Sequence, residues 1–404
     1  MLNPYFLMTL LYAALAILAA LDSALVSLNL LPWFNGLGWL RVHFITLGIL
    51  TQIAFGVCAA LVAARSEHAK PKTRWDIWLA LNLGILTLMV GIPLLHAALI
   101  IVGGMFVLVA AALLLQQLSA LRGKSARAPS GFGGGRKFYL VGLIYLLLGI
   151  FVGTGLWQGW NQALQMRAPR EVHIHANIWG FAMLVCAGLL VDLYPGFAAR
   201  ALAWPRSLTP IFWMFTLGAL ALVLGPWFDN NAFTVPGIGL VVGGMIWLLL
   251  NVIKPLRHER AMWRTPGLWS LVTAYVWLLA PVFGAPFVLF YAVRLPDAGI
   301  VENVPQALVY GWILLFSSAL APYLFTRVFL PAEPAQLGGS WFGLGAVHLG
   351  GIFLWASLFI AEYQTALYGM AYLFWTASLI PFAMTLWRSV RAGTRRIETT
   401  DSLL

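Results

Sequence analysis

The sequence predicts an all-α integral membrane protein with twelve transmembrane helices in three pseudo-repeats of four, and with both termini in the cytoplasm. Hydrophobic residues make up 61% of the 404 residues and charged residues only 9%, against about 25% charged in ordinary soluble domains. The apolar residues fall into runs of roughly the 20 residues that a helix needs to cross a bilayer. A short motif also recurs at a nearly constant interval along these runs.

The apolar runs follow one another closely enough to predict one polytopic domain, residues 1–404, without a soluble domain. The first run follows Met1-Leu2-Asn3-Pro4, which has no basic residue, so we expect a spanning helix and not a cleaved signal. The third and fourth runs meet at Gly91-Ile92-Pro93, where proline ends a helix. The predicted helices cover 5–31, 39–64, 76–91, 93–121, 138–160, 173–194, 207–226, 233–253, 266–292, 303–328, 339–361 and 366–388.

The basic residues are distributed asymmetrically between the two sides that this topology creates. The net charge is +11, and 20 of the 24 lysines and arginines fall in loops or tails on one side. Cytoplasmic loops carry the excess of Lys and Arg, so this side and both termini are predicted to be cytoplasmic. The topology explains the positive net charge, and no nucleic-acid partner is predicted. The predicted location is the inner (cytoplasmic) membrane, where lipid surrounds the protein.

The recurring motif places a histidine or glutamine five residues before a glycine. Its first residues are 132 and 131 residues apart, which predicts pseudo-repeats with marker positions near 43, 175 and 306. Each copy lies at the start of an even-numbered helix: helix 2, 6 or 10. The copies are His43–Gly48, His175–Gly180 and Gln306–Gly311.

Histidines in the membrane are the main candidate ligands, because imidazole is costly in hydrocarbon and marks a functional site by default. The topology puts His43, His96 and His175 near the periplasmic ends of their helices and His348 midway along helix 11. A single buried histidine is equally well explained by an interhelical hydrogen bond. Several at one depth favour shared ligation of a metal or a haem iron, for which neutral imidazole is a common ligand.

Three further features of the sequence require interpretation. His173 and His175 are two residues apart and cannot face the same way on a helix; we expect His175 to face the bundle and His173 the interface, near Arg170 and Glu171. Gly48 and Gly180 either allow close helix packing or approach the face of a flat macrocycle as cofactor-binding residues. Asp22 either relays protons and orients a ligating imidazole or is a satisfied structural group.

These residues together resemble the haem–copper oxidase subunit I superfamily, in its nitric-oxide-reductase-like or cbb3-like branches. That family has twelve helices in three arcs of four, with metal ligands on helices 2, 6 and 10 near the outer face. The interval between His43, His175 and Gln306 fits that arrangement. The segment from His175 to Pro195, with Gly180-Phe181 and Leu193-Tyr194-Pro195, is similar to the family's helix 6.

The resemblance implies that His43 is an axial ligand of a b-type haem and that His175 binds a second metal centre. The chain departs from the family on helix 7, where 210–226 has no histidine, and on helix 10, where Gln306 replaces a His-x-His pair. No tyrosine matches the one that the oxidases cross-link to a copper ligand. His348 on helix 11 is then the first candidate partner of His43, and His96 and His175 would hold a second haem or a copper, with swapped pairings left open.

Three functional hypotheses follow. The first is a divergent haem-binding oxidoreductase or electron-transfer subunit that acts on nitric oxide or dioxygen; without a soluble redox domain or a Cys-x-x-Cys-His motif, it needs a partner redox subunit or a soluble cytochrome or cupredoxin. The second is a non-enzymatic haem or copper protein of nitric-oxide tolerance, similar to the NnrS-type family, although His173-Ile174-His175-Ala176 lacks that family's His-x-His-Glu. The third is a transporter with histidines along its path, for which an inverted repeat is typical.

Overall fold

The computed structural model describes residues 3–69, 71–121, 134–289 and 297–401, without the side chains at 283–289, 297–299, 301 and 397–401. All regular secondary structure in these residues is helical, as the composition predicts. Within these described ranges, ten helices are long and apolar enough to cross a bilayer. The chain is therefore a multi-pass membrane protein.

Each predicted apolar run is occupied by one helix, and we name these helices α1 to α12. Short helical turns at Pro205–Ser207, Arg260–Trp263 and Ala361–Tyr363 lie between them. The helices are α1 Pro4–Ser27, α2 Leu37–Arg65, α3 Trp75–Gly91, α4 Ala97–Ala120, α5 Arg136–Gln158, α6 Pro169–Ala198, α7 Leu208–Phe228, α8 Asn231–Leu256, α9 Pro266–Leu289, α10 (Asp297–Gln306, Ala307–Ile313 and Leu314–Phe329), α11 Trp341–Phe359 and α12 Gln364–Asp401.

Several helix starts differ from the sequence prediction, and two of them have an evident local reason. α4 begins at Ala97 and not at residue 93, because Leu95 adopts a left-handed φ of 51° and His96 takes the extended conformation of an N-cap. α6 begins at Pro169, four residues before the predicted start. Proline suits the first helical position because its fixed φ is already helical and its missing N–H would have no partner there.

The chain forms two compact units, Met1–Ile53 with Glu259–Leu404 and Ala54–His258. In the first unit α1 packs against α12 and the start of α2, α9 packs against α10, and α11 packs against α12. In the second unit α3 packs against α4, α4 against α5, α5 against α6, and α7 against α8. The single polytopic domain predicted for residues 1–404 stays a prediction.

The helices recur in groups of four, which we call repeat 1 (α1–α4), repeat 2 (α5–α8) and repeat 3 (α9–α12). Equivalent helices begin 128 to 134 residues apart. The second helix of each repeat contains a π-helical segment of seven residues immediately after its marker residue. These segments are Phe44–Leu50, Ala176–Ala182 and Ala307–Ile313.

Backbone hydrogen bonds over five residues define the wider π-helical turns. Thr51, Met183 and Leu314 each donate their N–H to the carbonyl five residues earlier, on Thr46, Ile178 and Val309 respectively. π-Helical turns are rare and are frequently found at functional sites. Because they occur at three equivalent positions, the π-helical turns are a structural feature that the three repeats share.

An aromatic ring from the first helix of each repeat packs against the glycine in the π-helical segment. A Cβ added to any of these glycines would lie within 2.5 Å of the aromatic residue. Real Cβ atoms do not approach other atoms so closely, so glycine is required for the two helices to come this near. The pairs are Tyr12 with Gly48, Tyr145 with Gly180 and Trp277 with Gly311.

We predict that Gly180→Leu lowers the free energy of unfolding by about 1–3 kcal/mol, because the new side chain overlaps Tyr145 in a packed interior. Thermal unfolding in detergent measures the effect. The matched control is Gly239→Leu on α8, where a Cβ has no neighbour within 4 Å. A second change, Tyr145→Ala, should recover part of the loss in the Gly180→Leu background. Equal destabilisation by Gly180→Leu and by the control Gly239→Leu would contradict this packing role.

Candidate functional site

His175 ends the first α-helical part of α6, directly before the π-helical segment. Its Nδ1–H donates a hydrogen bond to the Leu222 carbonyl on α7, at 2.5 Å. A neutral imidazole carries one proton, so this bond fixes the tautomer and leaves Nε2 with the lone pair. Ligating histidines typically donate their other ring N–H to a carbonyl or carboxylate in this way. The environment of His175 therefore suits a metal ligand.

His43 occupies the equivalent position at the start of α2. Its Nδ1 is 2.8 Å from the Trp39 carbonyl one turn earlier. The imidazole also stacks on the Trp39 ring, with centroids 4.2 Å apart and planes 11° from parallel. With Nδ1–H donating to the carbonyl, the ring orientation is fixed and Nε2 is the acceptor nitrogen, as in His175.

Gln306 stands at the third marker position, on α10. Its Nε2 donates to the Glu302 carbonyl 3.2 Å away, within its own helix. Its Oε1 is buried and makes no hydrogen bond within the described part of the chain. An amide oxygen binds metal ions more weakly than an imidazole does. Repeat 3 therefore has the same backbone geometry at the marker position, but its side chain is a poorer metal ligand.

His173 packs against α5 and does not face the interface, which corrects the expectation from the sequence. Its Nδ1 lies 2.8 Å from the Gly149 carbonyl. Its ring occupies the space beside Gly153, where a Cβ would lie 2.5 Å from Cε1. Asn177 adds a hydrogen bond from Nδ2 to the His173 carbonyl, at 2.8 Å. His173 and His175 thus bind α5 and α7 from opposite sides of α6.

His348 on α11 has both ring nitrogens engaged. The Trp277 Nε1–H donates to its Nδ1 at 3.0 Å, and its Nε2–H donates to the Thr273 hydroxyl at 2.9 Å. Both partners lie on α9. Ligation of a metal by His348 would require one of these two bonds to break, so the structure favours the interhelical hydrogen-bonding interpretation for this residue.

His96 is an exposed residue at the start of α4. Its Nδ1 accepts a hydrogen bond from the Leu99 N–H at 3.4 Å, so it acts as the N-cap of that helix. N-capping satisfies one of the backbone donors that the first turn leaves without a partner. The role that the structure gives His96 is local.

The donor set decides which cofactors suit these residues. Within residues 3–69, 71–121, 134–289 and 297–401, no group of three or more His, Cys, Asp or Glu could hold a metal ion. A copper centre with three side-chain ligands does not fit the described residues. A haem iron requires fewer side-chain ligands, because it needs only one or two axial ligands and receives its other four from the macrocycle.

The space beside the marker glycines is filled by protein. Tyr12 contacts Gly48 and Tyr145 contacts Gly180, so helix packing alone explains both glycines. The carboxylate of Asp22 has one buried oxygen, Oδ2, without a hydrogen-bond partner in the described chain. Among the described residues, no histidine is hydrogen-bonded to Asp22.

Asp192 has a structural role that the sequence did not reveal. Its side chain is 1% exposed, and it accepts hydrogen bonds from the Gly135 N–H at 2.9 Å and the Tyr139 hydroxyl at 2.8 Å. Arg65 Nε lies 3.5 Å from the same carboxylate. The carboxylate therefore joins the end of α2, the start of α5 and the last turns of α6. Its partners are distant in sequence, so no local pattern could show them.

No protein-family model, no curated protein and no solved structure matches this chain. The relationship to haem–copper oxidases therefore remains a proposal. The three repeats supply an internal comparison instead, because equivalent positions serve as references for one another.

We predict that Asp192→Ala lowers the free energy of unfolding by about 3 kcal/mol, since two hydrogen bonds to a buried carboxylate and an ion pair are lost together. The control is Glu333→Ala, which removes the exposed ion pair with Arg396 and should cost no more than about 1 kcal/mol. Denaturation in detergent compares the two variants. Similar losses in both would show that Asp192 does not join the three helices.

Proposed function

We propose that this chain is a haem-binding integral membrane protein that carries out redox or electron-transfer chemistry on a small molecule such as nitric oxide or dioxygen. Twelve helices cross the inner membrane, with the basic loops and both termini in the cytoplasm and the haem toward the periplasmic side. His175 is the first axial ligand in this proposal. His43 is the ligand of a second haem.

The observation that carries the proposal is the hydrogen bond from His175 Nδ1–H to the Leu222 carbonyl. It leaves Nε2 as the basic nitrogen and holds the ring in one orientation, as metal-ligating histidines require. The repeated placement of a marker before a π-helical turn supports the same interpretation for His43. Haem b held in this way is not covalently attached, in agreement with the absence of Cys-x-x-Cys-His from the sequence.

Bound haem supplies a redox-active iron with a position for a small ligand. The residues of this chain orient the ligating imidazole and keep water away. Ile178, Trp179 and Phe181 follow His175 and are buried, so the surroundings of the ligand are largely apolar. An apolar, water-poor environment is one of the means by which a protein adjusts a haem potential.

The proposal requires an electron donor from outside the chain. Neither cysteine lies in a motif that attaches haem. A quinol, a partner redox subunit, or a soluble cytochrome or cupredoxin would supply the electrons at the periplasmic side. A protein that holds haem without accepting electrons would instead belong to the non-enzymatic class of nitric-oxide tolerance.

We predict that the purified wild type contains haem b at two sites and that His175→Ala loses about half of it, because few groups other than imidazole bind the iron strongly at this position. A pyridine haemochrome assay per mole of protein measures the content. His43→Ala should lose the other half. His348→Ala is the matched control and should retain haem, since both nitrogens of His348 already have protein partners.

A colourless, metal-free wild type would overturn the proposal. Equal haem contents in the wild type and in His175→Ala would overturn the assignment of the ligand. Elemental analysis of the same samples reports copper, and a stoichiometric copper content would contradict the donor set described above.

A further inference from the structure

Repeat 3 contains a cavity of about 30 Å³ to which all four of its helices contribute. That volume is room for about two water molecules. Its polar lining consists of hydroxyl groups from each helix, and no charged side chain lines it. These residues are Ser270, Ser318, Ser340, Ser378 and Thr385.

The equivalent positions of the other repeats carry large or apolar side chains. Ser270 lies seven residues before the aromatic residue that packs on the marker glycine, and the matching residues are Phe138 in repeat 2 and Tyr5 in repeat 1. Both are almost fully buried. In repeats 1 and 2 an aromatic residue therefore occupies the position that the small Ser270 occupies in repeat 3.

The residues of α12 that line the cavity also carry hydroxyls where the other repeats have apolar side chains. Ser378 is the fifteenth residue of α12, and the fifteenth residues of α8 and α4 are Met245 and Ala111, both buried. Seven residues later, Thr385 corresponds to Val252 in repeat 2. Repeat 3 has thus replaced buried apolar groups by hydroxyls at several positions on facing helices.

Ser270 contributes a buried hydroxyl to the cavity. It is 1% exposed, it lines the cavity, and a Cβ added to Gly339 would lie 3.1 Å from its Oγ. The cavity is polar and large enough to hold water, and a water molecule there can hydrogen-bond to this hydroxyl.

The cavity runs from an accessible end to a buried one. Thr385 is exposed and lies three residues before Arg388, whereas Ser270 and Ser378 are buried. Thr273 lies one turn beyond Ser270 on α9 and accepts the hydrogen bond from His348 Nε2–H. Residues three apart on a helix share a face, so Thr273 lies on the same side of α9 as Ser270.

We propose that this cavity is a water-filled entrance that hydrates the interior of repeat 3 from the side carrying the basic residues. The chemical class of its occupant is water, hydrogen-bonded to the serine hydroxyls. The cytoplasmic position of its mouth rests on the topology given under the proposed function. The cavity itself does not depend on haem.

Cysteine accessibility tests this proposal in the full-length protein. Ser378→Cys is placed in a background in which Cys58 and Cys186 are replaced by alanine, and is treated with a small, charged methanethiosulfonate in inverted and in right-side-out vesicles. Thiols react as thiolates, which form in contact with water and not in apolar surroundings. We expect reaction from the cytoplasmic side at least about tenfold faster than for the sister variant Met245→Cys.

A filling variant provides the second measurement. Ser270→Phe restores the aromatic residue of repeat 2 and should slow the labelling of Ser378→Cys severalfold, while Thr385→Cys at the mouth continues to react. Equal, slow labelling of Ser378→Cys and Met245→Cys would overturn the proposal, as would labelling from the periplasmic side alone. Haem content, measured on the same variants, is expected not to change, so failure here is distinguishable from failure of the haem proposal.

Discussion

The packing of one aromatic ring against one glycine in each repeat is the contact on which the remaining structure depends. Tyr12, Tyr145 and Trp277 occupy the space that a side chain would need at the facing glycine. Because the ring comes from the first helix and the glycine from the second, the contact fixes the separation and register of the pair. The marker residue, five positions before the glycine, is then held at an equivalent position along the second helix of each repeat.

The same framework supports different chemistry in each repeat. At the marker position, repeats 1 and 2 have imidazoles whose Nδ1 atoms face carbonyl groups, and repeat 3 has an amide. Trp277 uses its ring N–H to hold His348, whereas Tyr145 directs its hydroxyl to the Thr216 carbonyl. Packing is thus shared by the repeats, while the polar groups at equivalent positions differ.

Much of the fold could be predicted because hydrophobic runs and glycine spacing are local properties of the sequence. The hydrophobic runs predict the twelve helices, and the spacing of the glycines reveals the repeat marked by His43, His175 and Gln306. The π-helical turns could not be predicted, since hydrogen bonds over five residues arise where the facing ring meets the glycine. The recurring glycine five residues after the marker was the signal of their position.

The candidate site was less predictable, because its contacts join distant segments. His173 was expected at the interface, yet Gly149 and Gly153 on α5 provide both its acceptor and the space for its ring. Asp192 gained its role from Gly135 and Tyr139, more than 50 residues earlier. Burial of a side chain depends on which helices surround it, and composition does not specify that.

The most direct test of the central claim is electron–nuclear double resonance on the oxidised, ¹⁵N-histidine-labelled wild type. If His175 presents Nε2 to a haem iron, the spectrum shows a coupling from an imidazole nitrogen and from an exchangeable Nδ1 proton, and His175→Ala loses the couplings of that haem while those of a haem at His43 remain. A paramagnetic haem without histidine coupling, or a purified protein without haem, would contradict the account.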